Sequence, residues 1–510
     1  MISERVRPSL LAGGVFLVFI CATISHAQWK PAGARLMTRW GKTVSPAKVH
    51  QEYPRPQMVR ASWVNLNGLW DYAIRPAAAE DLKQADGKIL VPFPVESALS
   101  GVGRMVGKEK RLWYRRTFEL PGNWKDRRVL LHFGAVDWEA AVWVNGKRAG
   151  SHRGGYDPFS FDVTRLLEPG GGSQRLEVAV WDPSDEGPQP RGKQVSKPRG
   201  IWYTPVTGIW QTVWLEAVPM TSIESLQIVP DVDGKKLKVR VEALGTEKVK
   251  ARVKIPALGV HGEGSAGSTI ELGLKNFEPW SPGNPKLYDL EVELVSGARV
   301  IDRVKSYFGM RKISLGKDQN GIPRILLNGE PLFQFGPLDQ GWWPDGLYTA
   351  PSDEALRYDL EVTKKLGFNM VRKHVKVEPL RWYYHCDRMG LLVWQDMPNG
   401  GVNARWPLDG TELRRDEKEK AQFDRELDAL IDSHRNQVSV VAWVPFNEAW
   451  GQFDTARVTR HIEQKDPGRL VISASGGNDF GVGHVHDIHQ YPGPRRPPAE
   501  TARVAVLGEY

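Results

Sequence analysis

Residues 417–451 read EKEKAQFDRELDALIDSHRNQVSVVAWVPFNEAWG, a helix pattern followed directly by a strand pattern. The first part, to Arg435, places apolar residues among charged ones at helical spacing. The second part, from Val438, is apolar like a buried strand and ends on an amide and a carboxylate, Asn447 and Glu448. Glutamate is seldom fully buried without a partner. This strand therefore presents a charge either to solvent or to a ligand.

The same alternation of strands and helices fills residues 313–510. Strand patterns and helix patterns in turn predict parallel β/α units, and this many of them predict a (β/α)8 TIM barrel. Only seven strands are present, from Pro331–Gly336 to a last strand ending at Glu509. Closing the barrel needs an eighth. We therefore expect an incomplete barrel whose C-terminal part is missing, in a truncated product or an incomplete gene model.

Two β-rich regions precede the barrel. Residues 28–218 contain short alternating runs broken by turns, and Asn145-Gly146 between two such runs is typical of a hairpin. This pattern predicts a β sandwich with an N-terminal extension. Residues 219–312 contain strand patterns at the spacing of a smaller, immunoglobulin-like β sandwich, which we interpret as a spacer.

The N-terminus has the composition of a signal peptide over residues 1–27. Two arginines precede a 15-residue apolar run, Leu10–Ile24, and the small residues of Ser25-His26-Ala27 follow it. A membrane-spanning helix needs about 20 apolar residues, so a cleaved leader is favoured over an anchor. The sequence therefore predicts a periplasmic or secreted protein with no membrane attachment after cleavage.

Composition limits the other function classes. The formal charge is +9, and removing Glu4, Arg5 and Arg7 with the leader takes away one net positive charge and leaves +8. The chain has no block of lysine and arginine that would indicate nucleic-acid binding. Its 20 tryptophans indicate either large β-rich cores or stacking on sugars or bases. Cys386 is the only cysteine outside the leader, so we expect a buried thiol and no internal disulfide. Nothing in the sequence indicates an oligomeric state.

Two carboxylates end predicted barrel strands, Glu448 on the fourth and Glu509 on the seventh. Active-site groups of parallel barrels lie at the carboxyl ends of the strands. Glycosidic bond cleavage needs two such groups, one to protonate the leaving oxygen and one to attack the sugar or activate water. The alternative is a pair of structural salt bridges with Arg372 or Arg435.

The segments PFNEAWG and VLGEY resemble the acid/base and nucleophile signatures of glycoside hydrolase family 2, which includes β-galactosidases, β-glucuronidases and β-mannosidases. RPQMVRASWVNLNGLWDYAI, VWVNGKRAGSHRGGYDPFSFDVTRLL and TGIWQTVWLE resemble its sugar-binding jelly roll. GFNMVRKHVKVEP and CDRMGLLVWQDMP resemble its TIM barrel. These segments occur in the family's order and extend over nearly the whole mature chain.

The resemblance implies a retaining double displacement. Glu509 would be the nucleophile and Glu448 the general acid/base, with carboxyl groups about 5–5.5 Å apart. We expect apolar surroundings and the charge of Glu509 to raise the pKa of Glu448. Arg372 would keep Glu509 ionised, and Asn447 would donate to the sugar 2-hydroxyl.

Further contacts are predicted at the rim of the barrel. Tyr491 is expected beside the nucleophile, and His489 is expected as a sugar ligand. His374 is a candidate sugar contact, although the family's histidine corresponds to the next residue, Val375. Asp396 would bind either substrate hydroxyls or a rim partner, and Trp343 would form either a sugar platform or loop packing.

No metal site and no cofactor are predicted, because His486 and His489 would point to opposite faces of a strand.

The leading hypothesis is an exported exo-β-glycosidase that hydrolyses terminal β-linked sugars with retention. A β-galactoside is the favoured substrate, and a glucuronide or a mannoside is the alternative. The competing hypothesis is a non-catalytic carbohydrate-binding protein, which follows if the 510-residue chain is the real product.

Overall fold

The computed structural model describes residues 1, 29–33, 36–170, 172–401 and 405–510. Apart from residue 1, the predicted signal peptide lies outside the described residues, and so does its cleavage site. Among the described residues, no helix combines the length and the apolar character that crossing a membrane requires.

The first β sandwich is built from antiparallel strands in two main sheets. Its strands are β1 (Trp63–Asn65), β2 (Gly68–Pro76), β3 (Gly87–Val91), β4 (Lys110–Phe118), β5 (Arg128–Phe133), β6 (Val136–Asp137), β7 (Glu139–Val144), β8 (Lys147–Arg153), β9 (Phe159–Asp162), β10 (Gln174–Trp181), β11 (Gly208–Ile209) and β12 (Val213–Val218). One sheet has the order β1-β12-β5-β9 and the other β3-β2-β4-β10-β7-β8. The predicted hairpin at Asn145-Gly146 joins β7 and β8, and both turn residues have positive φ.

The second sandwich follows at once along the chain. Its strands are β13 (Ser222–Asp231), β14 (Lys236–Leu244), β15 (Lys250–Ile255), β16 (Val260–Ser265), β17 (Thr269–Gly273), β18 (Tyr288–Ser296) and β19 (Arg299–Phe308). They form sheets of three and four strands. Alternate residues of β14, namely Leu237, Val239 and Val241, are buried in the core between the sheets. A small three-stranded sheet, β20 (Ile313–Lys317), β21 (Pro323–Leu327) and β22 (Glu330–Pro331), leads into the barrel.

The barrel region alternates parallel strands with helices. Its strands are β23 (Leu338–Asp339), β24 (Met370–Lys373), β25 (Leu392–Asp396), β26 (Val440–Val444), β27 (Leu470–Val471), β28 (Val485–His489) and β29 (Val504–Glu509), and its helices are α1 (Asp353–Lys365), α2 (Leu380–Met389), α3 (Glu417–His434) and α4 (Thr455–Lys465). The first five strands form one parallel sheet in chain order, and β28 and β29 form a parallel pair. Among the described residues the barrel is therefore incomplete, as the sequence predicts.

Local sequence accounts for the ends of the helices. The Ser352 side chain accepts a hydrogen bond from the backbone N–H of Ala355 and caps α1. Asp416 caps α3 in the same way, and Gly390 ends α2 in the left-handed conformation. Cys386 is a free, buried cysteine on α2, as expected.

The first barrel strand differs from the prediction. The apolar run Pro331–Gly336 does not form that strand, because β22 ends at Pro331 and β23 begins at Leu338. Pro337 lies directly before β23 and has no N–H to donate to a neighbouring strand. The apolar pattern alone therefore placed the strand too early.

The two sandwiches are joined by a buried ionic cluster. Glu216 on β12 is fully buried and accepts hydrogen bonds from Tyr53 at 2.6 Å and from Arg55 at 2.6 and 2.7 Å. Arg60 lies 3.3 Å from the same carboxylate and pairs with Asp302 of β19 at 2.7 Å. Burial alone would raise the pKa of Glu216, but Arg55 and His132 hold it well below its usual range.

We expect Glu216→Gln to lower the free energy of unfolding by about 3–5 kcal/mol, because it leaves buried guanidinium charge without its carboxylate. Thermal unfolding near neutral pH measures this loss. Since the depressed pKa stabilises the fold above the ordinary glutamate pKa, this stabilisation disappears as the pH falls through the folded pKa. The difference between the proteins should therefore shrink in acid. Glu271→Gln, which removes an exposed pair with Lys236, is the control and should change little. Equal effects of the two substitutions would contradict this role of the cluster.

Candidate active site

The guanidinium of Arg372, at the end of β24, connects the groups of the site. Its Nε and Nη2 donate to the two carboxylate oxygens of Asp396 on β25 at 3.0 and 2.9 Å. Its Nη1 donates to Glu509 Oε1 at 2.9 Å, and its Nη2 also donates to Asn447 Oδ1 at 2.8 Å. Because parallel strands end at one edge of the barrel, one buried side chain on β24 reaches the ends of β25 and β29 and the turn after β26.

Electrostatics keep this guanidinium charged. Burial alone would lower the pKa of Arg372, but the carboxylates of Asp396 and Glu509 raise it above its ordinary value. Arg372 therefore places a permanent positive charge against Glu509, as the sequence predicts. The role of Glu509 in the reaction stays a prediction at this point.

A strained turn after β26 presents Glu448. Glu448 and Ala449 have φ values of 51° and 57°, a left-handed conformation that costs non-glycine residues about 1–3 kcal/mol each. Two backbone hydrogen bonds hold the turn against Ser475: Glu448 N–H donates to the Ser475 carbonyl at 2.8 Å, and Ser475 N–H donates to Phe446 at 2.9 Å. Strain of this kind concentrates at functional sites, where it fixes the direction of a side chain.

The two glutamates meet at His489, at the end of β28. His489 Nδ1 lies 3.1 Å from Glu448 Oε1, and Nε2 lies 3.6 Å from Glu509 Oε1. The Ser475 hydroxyl lies 2.9 Å from the same Nε2. One carboxylate oxygen of Glu448, one of Glu509 and one ring nitrogen of His489 all lie within 4.8 Å of one another. The ring is largely buried and contacts both carboxylates, so it positions them, and a sugar contact through His489 stays a prediction.

The expected increase in the pKa of Glu448 is wrong for this arrangement. The hydrogen bond from His489 lowers the pKa of Glu448, and it outweighs the partial burial that acts in the opposite direction. The expectation rested on the negative charge of Glu509, whereas the hydrogen bond that dominates comes from β28, a distant segment of the chain.

Tyr491 and His374 lie on either side of Glu509. The Tyr491 hydroxyl donates to Glu509 Oε2 at 2.8 Å, which is the predicted position beside this carboxylate. His374 Nδ1 lies 3.2 Å from Asp396 Oδ2 and 3.8 Å from Glu509 Oε1. Burial lowers the pKa of His374, which favours a neutral ring. A sugar contact through either residue stays a prediction.

Two of the predicted substrate contacts are not supported by the structure. Asp396 is 1% exposed, and its oxygens accept hydrogen bonds from Arg372 and from the Val375 N–H at 3.2 Å. Asp396 therefore holds the guanidinium of Arg372 in place. Of its two predicted roles, pairing at the rim of the barrel fits this arrangement, and binding of substrate hydroxyls does not. Trp343 is 7% exposed and packs edge-on against Trp40, with ring centroids 6.1 Å apart. Its faces lie in the core, so it is loop packing and not a sugar platform.

In the part of the chain that the structure describes, two groups of side chains have the composition of a metal site. Glu448, His489 and Glu509 form one, and Asp479, His486 and Glu500 form the other. An arginine already occupies each group. Arg372 pairs with Glu509, while Arg503 pairs with Asp479 and with Glu500, at 2.6 Å in both cases. A metal cation would be repelled by the guanidinium in both places.

Ser475 and Asp487 belong to the site although no sequence pattern indicated them, because their contacts join distant segments. Asp487 on β28 accepts a hydrogen bond from the Ser475 hydroxyl at 2.5 Å, and burial raises the pKa of Asp487 to about 6. A cluster of indoles lies beside the turn that carries Glu448. Trp202, from the first sandwich, packs 5.1 Å from Trp450 and 5.5 Å from Trp406, which is partly exposed. No local pattern could reveal these contacts.

Family models match all three parts of the chain: the jelly roll, the immunoglobulin-like sandwich and the barrel with its paired strand-end carboxylates. The model of the glycosyl hydrolases family 2 sugar-binding domain matches residues 89–219. The general model of glycosyl hydrolases family 2 matches residues 221–311, and the model of the family's TIM barrel domain matches residues 348–489. The chain belongs to glycosyl hydrolase family 2.

Similar individual proteins are named as two kinds of glycosidase. The chain is 27% identical over 369 residues to a β-galactosidase of Thermoanaerobacter pseudethanolicus, covering 69% of the chain and 47% of the relative. It is 28% identical over 384 residues to a putative β-glucuronidase of Formosa agariphila, covering 71% and 34%. The chain thus spans half or less of the length of these two relatives. A solved apo structure of a Ruminococcus gnavus β-glucuronidase shares the fold, with a TM-score of 0.67 at 21% identity, over 83% of the chain and 74% of that protein.

The hydrogen bond between His489 and Glu448 predicts an ordered series of pKa values. His489→Leu removes both the hydrogen bond to Glu448 and the electrostatic effect of the imidazole, so the pKa of Glu448 should rise most in this variant. His489→Gln keeps a hydrogen-bond donor but loses the electrostatic effect, and it should give an intermediate pKa of Glu448. Carboxyl-carbon NMR titration of labelled glutamates, assigned with Glu448→Gln, measures the three values.

The control for this series is His461→Gln, on α4, whose ring pairs with Asp428 at 2.7 Å. It should leave the pKa of Glu448 unchanged. An unchanged pKa in both His489 variants would contradict the assignment of His489 as the cause.

Proposed function

We propose that the protein is an exo-β-glycosidase that hydrolyses terminal β-linked sugars with retention of configuration. The observation that carries this proposal is the spacing of the two glutamates, whose nearest oxygens lie within 4.8 Å. Retaining glycosidases hold their carboxyl groups about 5–5.5 Å apart, whereas inverting enzymes need about 6.5–9.5 Å for a water molecule. Family membership supports the same chemistry.

In this mechanism Glu509 attacks the anomeric carbon while the bond to the leaving oxygen breaks. Glu448 donates a proton to that oxygen, and in the second step it takes a proton from the water that attacks the glycosyl–enzyme bond. Arg372 donates a hydrogen bond to Glu509, and the bidentate pair with Asp396 limits the motion of the guanidinium that holds it. Asn447, fixed by Arg372, would donate to the sugar 2-hydroxyl.

Glu448 must carry a proton before the first step. A bound sugar removes water from the half-buried carboxyl group, which raises its pKa. His489, hydrogen-bonded to Glu448 Oε1, holds this carboxyl group in place beside Glu509.

The proposed substrate is a β-glycoside. The names of the relatives suggest two classes of sugar for it, β-galactosides and β-glucuronides. The N-terminal pattern supports export to the periplasm or the medium after cleavage of the leader. Trp202, Trp406 and Trp450 provide an aromatic wall beside the turn that carries Glu448, on which a sugar ring could stack.

The competing function is carbohydrate binding without catalysis, in which the indoles of Trp202, Trp406 and Trp450 would hold a sugar that the two glutamates do not cleave. Binding without turnover of any β-glycoside would support this alternative.

Substitution of each glutamate tests the two roles. Glu509→Gln and Glu448→Gln should each lower kcat/KM for a p-nitrophenyl β-glycoside by at least about 10²–10⁴-fold, because the nucleophile or the acid/base is lost. Glu361→Gln, an exposed position on α1, is the matched control and should retain full activity. Normal turnover in either active-site variant would contradict the assignment.

Azide then distinguishes the nucleophile from the acid/base. In Glu509→Ala, azide should replace the leaving group from the vacated face and give the α-glycosyl azide. In Glu448→Ala, azide should attack the glycosyl–enzyme from the opposite face and give the β-glycosyl azide. NMR of the products reads the anomeric configuration, and the reverse pattern would mean that the two roles are exchanged.

A further inference from the structure

A loop of the first sandwich lies across the carboxyl ends of the barrel strands. The N–H groups of Arg191 and Gly192 both donate to the Asn399 carbonyl at 2.9 Å, in the segment that follows β25. Pro190 and Gly400 form an isolated bridge beside them. The loop is thereby tied to the same edge of the barrel that presents Glu448 and Glu509.

The loop approaches the barrel so closely at Gly192 that there is no room for a side chain. The φ of Gly192 is 59°, and a Cβ atom there would lie 2.5 Å from the Val375 carbonyl oxygen and about as close to the hydroxyls of Tyr156 and Tyr348, at 2.9 and 3.0 Å. Any larger residue would push the loop away from the barrel. The next side chain along the loop is therefore held in a defined place.

That next residue is Lys193, a half-buried lysine next to the point where the loop is tied to the barrel. Its charge interacts with Glu509, Glu448 and Arg372, and it contributes to the lowered pKa of Glu448. Its ammonium nevertheless makes no ion pair within 4.0 Å, and no hydrogen bond, with any residue in the described part of the chain. Burial lowers the pKa of Lys193, which is the cost of holding an unpaired cation in this position.

A sugar bound for reaction places its anomeric carbon between Glu448 and Glu509. Lys193 lies outside hydrogen-bonding distance of both carboxylates, so it would meet a substituent elsewhere on the ring and not the reacting carbon. A lysine ammonium forms its strongest hydrogen bonds with a negatively charged acceptor. The hydroxymethyl group of a neutral sugar would form a weaker hydrogen bond with Lys193 than a carboxylate would.

We propose that Lys193 recognises a carboxylate on the substrate ring, and that the preferred substrate is therefore a β-linked uronic acid, a β-glucuronide in particular, over the neutral sugar. This inference rests on the proposed glycosidase function and selects between its sugar classes. It also assigns part of substrate selection to the first sandwich, which extends a cation into a site built by the barrel.

The test compares p-nitrophenyl β-D-glucuronide with p-nitrophenyl β-D-glucoside, which differ only at C6. Lys193→Gln should lower kcat/KM for the glucuronide by about 10–100-fold, because it removes a hydrogen bond between two charged groups. The value of kcat/KM for the glucoside should change by less than about threefold, since this sugar presents only an uncharged hydroxymethyl group to Lys193. Lys197→Gln removes the same charge from an exposed position of the same loop and should affect neither substrate.

An equal loss on both substrates, with a shifted pH profile, would overturn the proposal and make Lys193 a charge partner of the two glutamates. A glucuronide preference that survives in Lys193→Gln would overturn it as well.

If the protein cleaves no glycoside, the glycosidase function fails, and binding of free D-glucuronate and D-glucose by ligand-observed NMR still tests Lys193. The intact lysine should give preferential binding of glucuronate, which Lys193→Gln should lose. Equal binding of both sugars to the unaltered protein would contradict the proposal.

Discussion

The guanidinium of Arg372 is the interaction on which the geometry of the site depends. It is 3% exposed and hydrogen-bonds Asp396, Asn447 and Glu509. These partners come from separate strand ends, so the barrel must place each end correctly before the network can form. Because a buried guanidinium without carboxylates would be strongly destabilising, the same network that orders the site also joins β24, β25 and β29.

The strained turn at Glu448 depends on this frame. Its left-handed backbone is held by two backbone hydrogen bonds with Ser475, in the segment that follows β27. His489 then connects Glu448 to Glu509 through the two nitrogens of one ring. The site therefore consists of two carboxylates with different partners, an arginine for Glu509 and a histidine for Glu448, as two different chemical roles require. The first sandwich completes it with Lys193 and Trp202.

Local patterns in the sequence predicted much of this arrangement. Alternating strand and helix patterns indicated the parallel β/α units, and apolar runs ending in Glu448 and Glu509 placed both carboxylates at one edge of a parallel barrel. The remaining features depend on contacts between distant segments. His489 is 41 residues from Glu448, and its effect on the pKa of that group has no local signal.

Two further features could not be predicted for the same reason. An aromatic residue in a loop can face solvent or the core, and Trp343 packs against Trp40, whose position no pattern near residue 343 reveals. Lys193 belongs to a different sandwich, so only the folded contact with Asn399 brings its loop to the barrel.

The measurement that tests the central claim most directly is covalent trapping of the nucleophile. A 2-deoxy-2-fluoro β-glycoside with a dinitrophenolate leaving group, built on the sugar that the protein cleaves, should form a stable glycosyl–enzyme. Peptide mass spectrometry should then find the fluorosugar on Glu509 and nowhere else. A label on Glu448 or on another residue would contradict the account, and so would hydrolysis of the substrate with inversion and no covalent label.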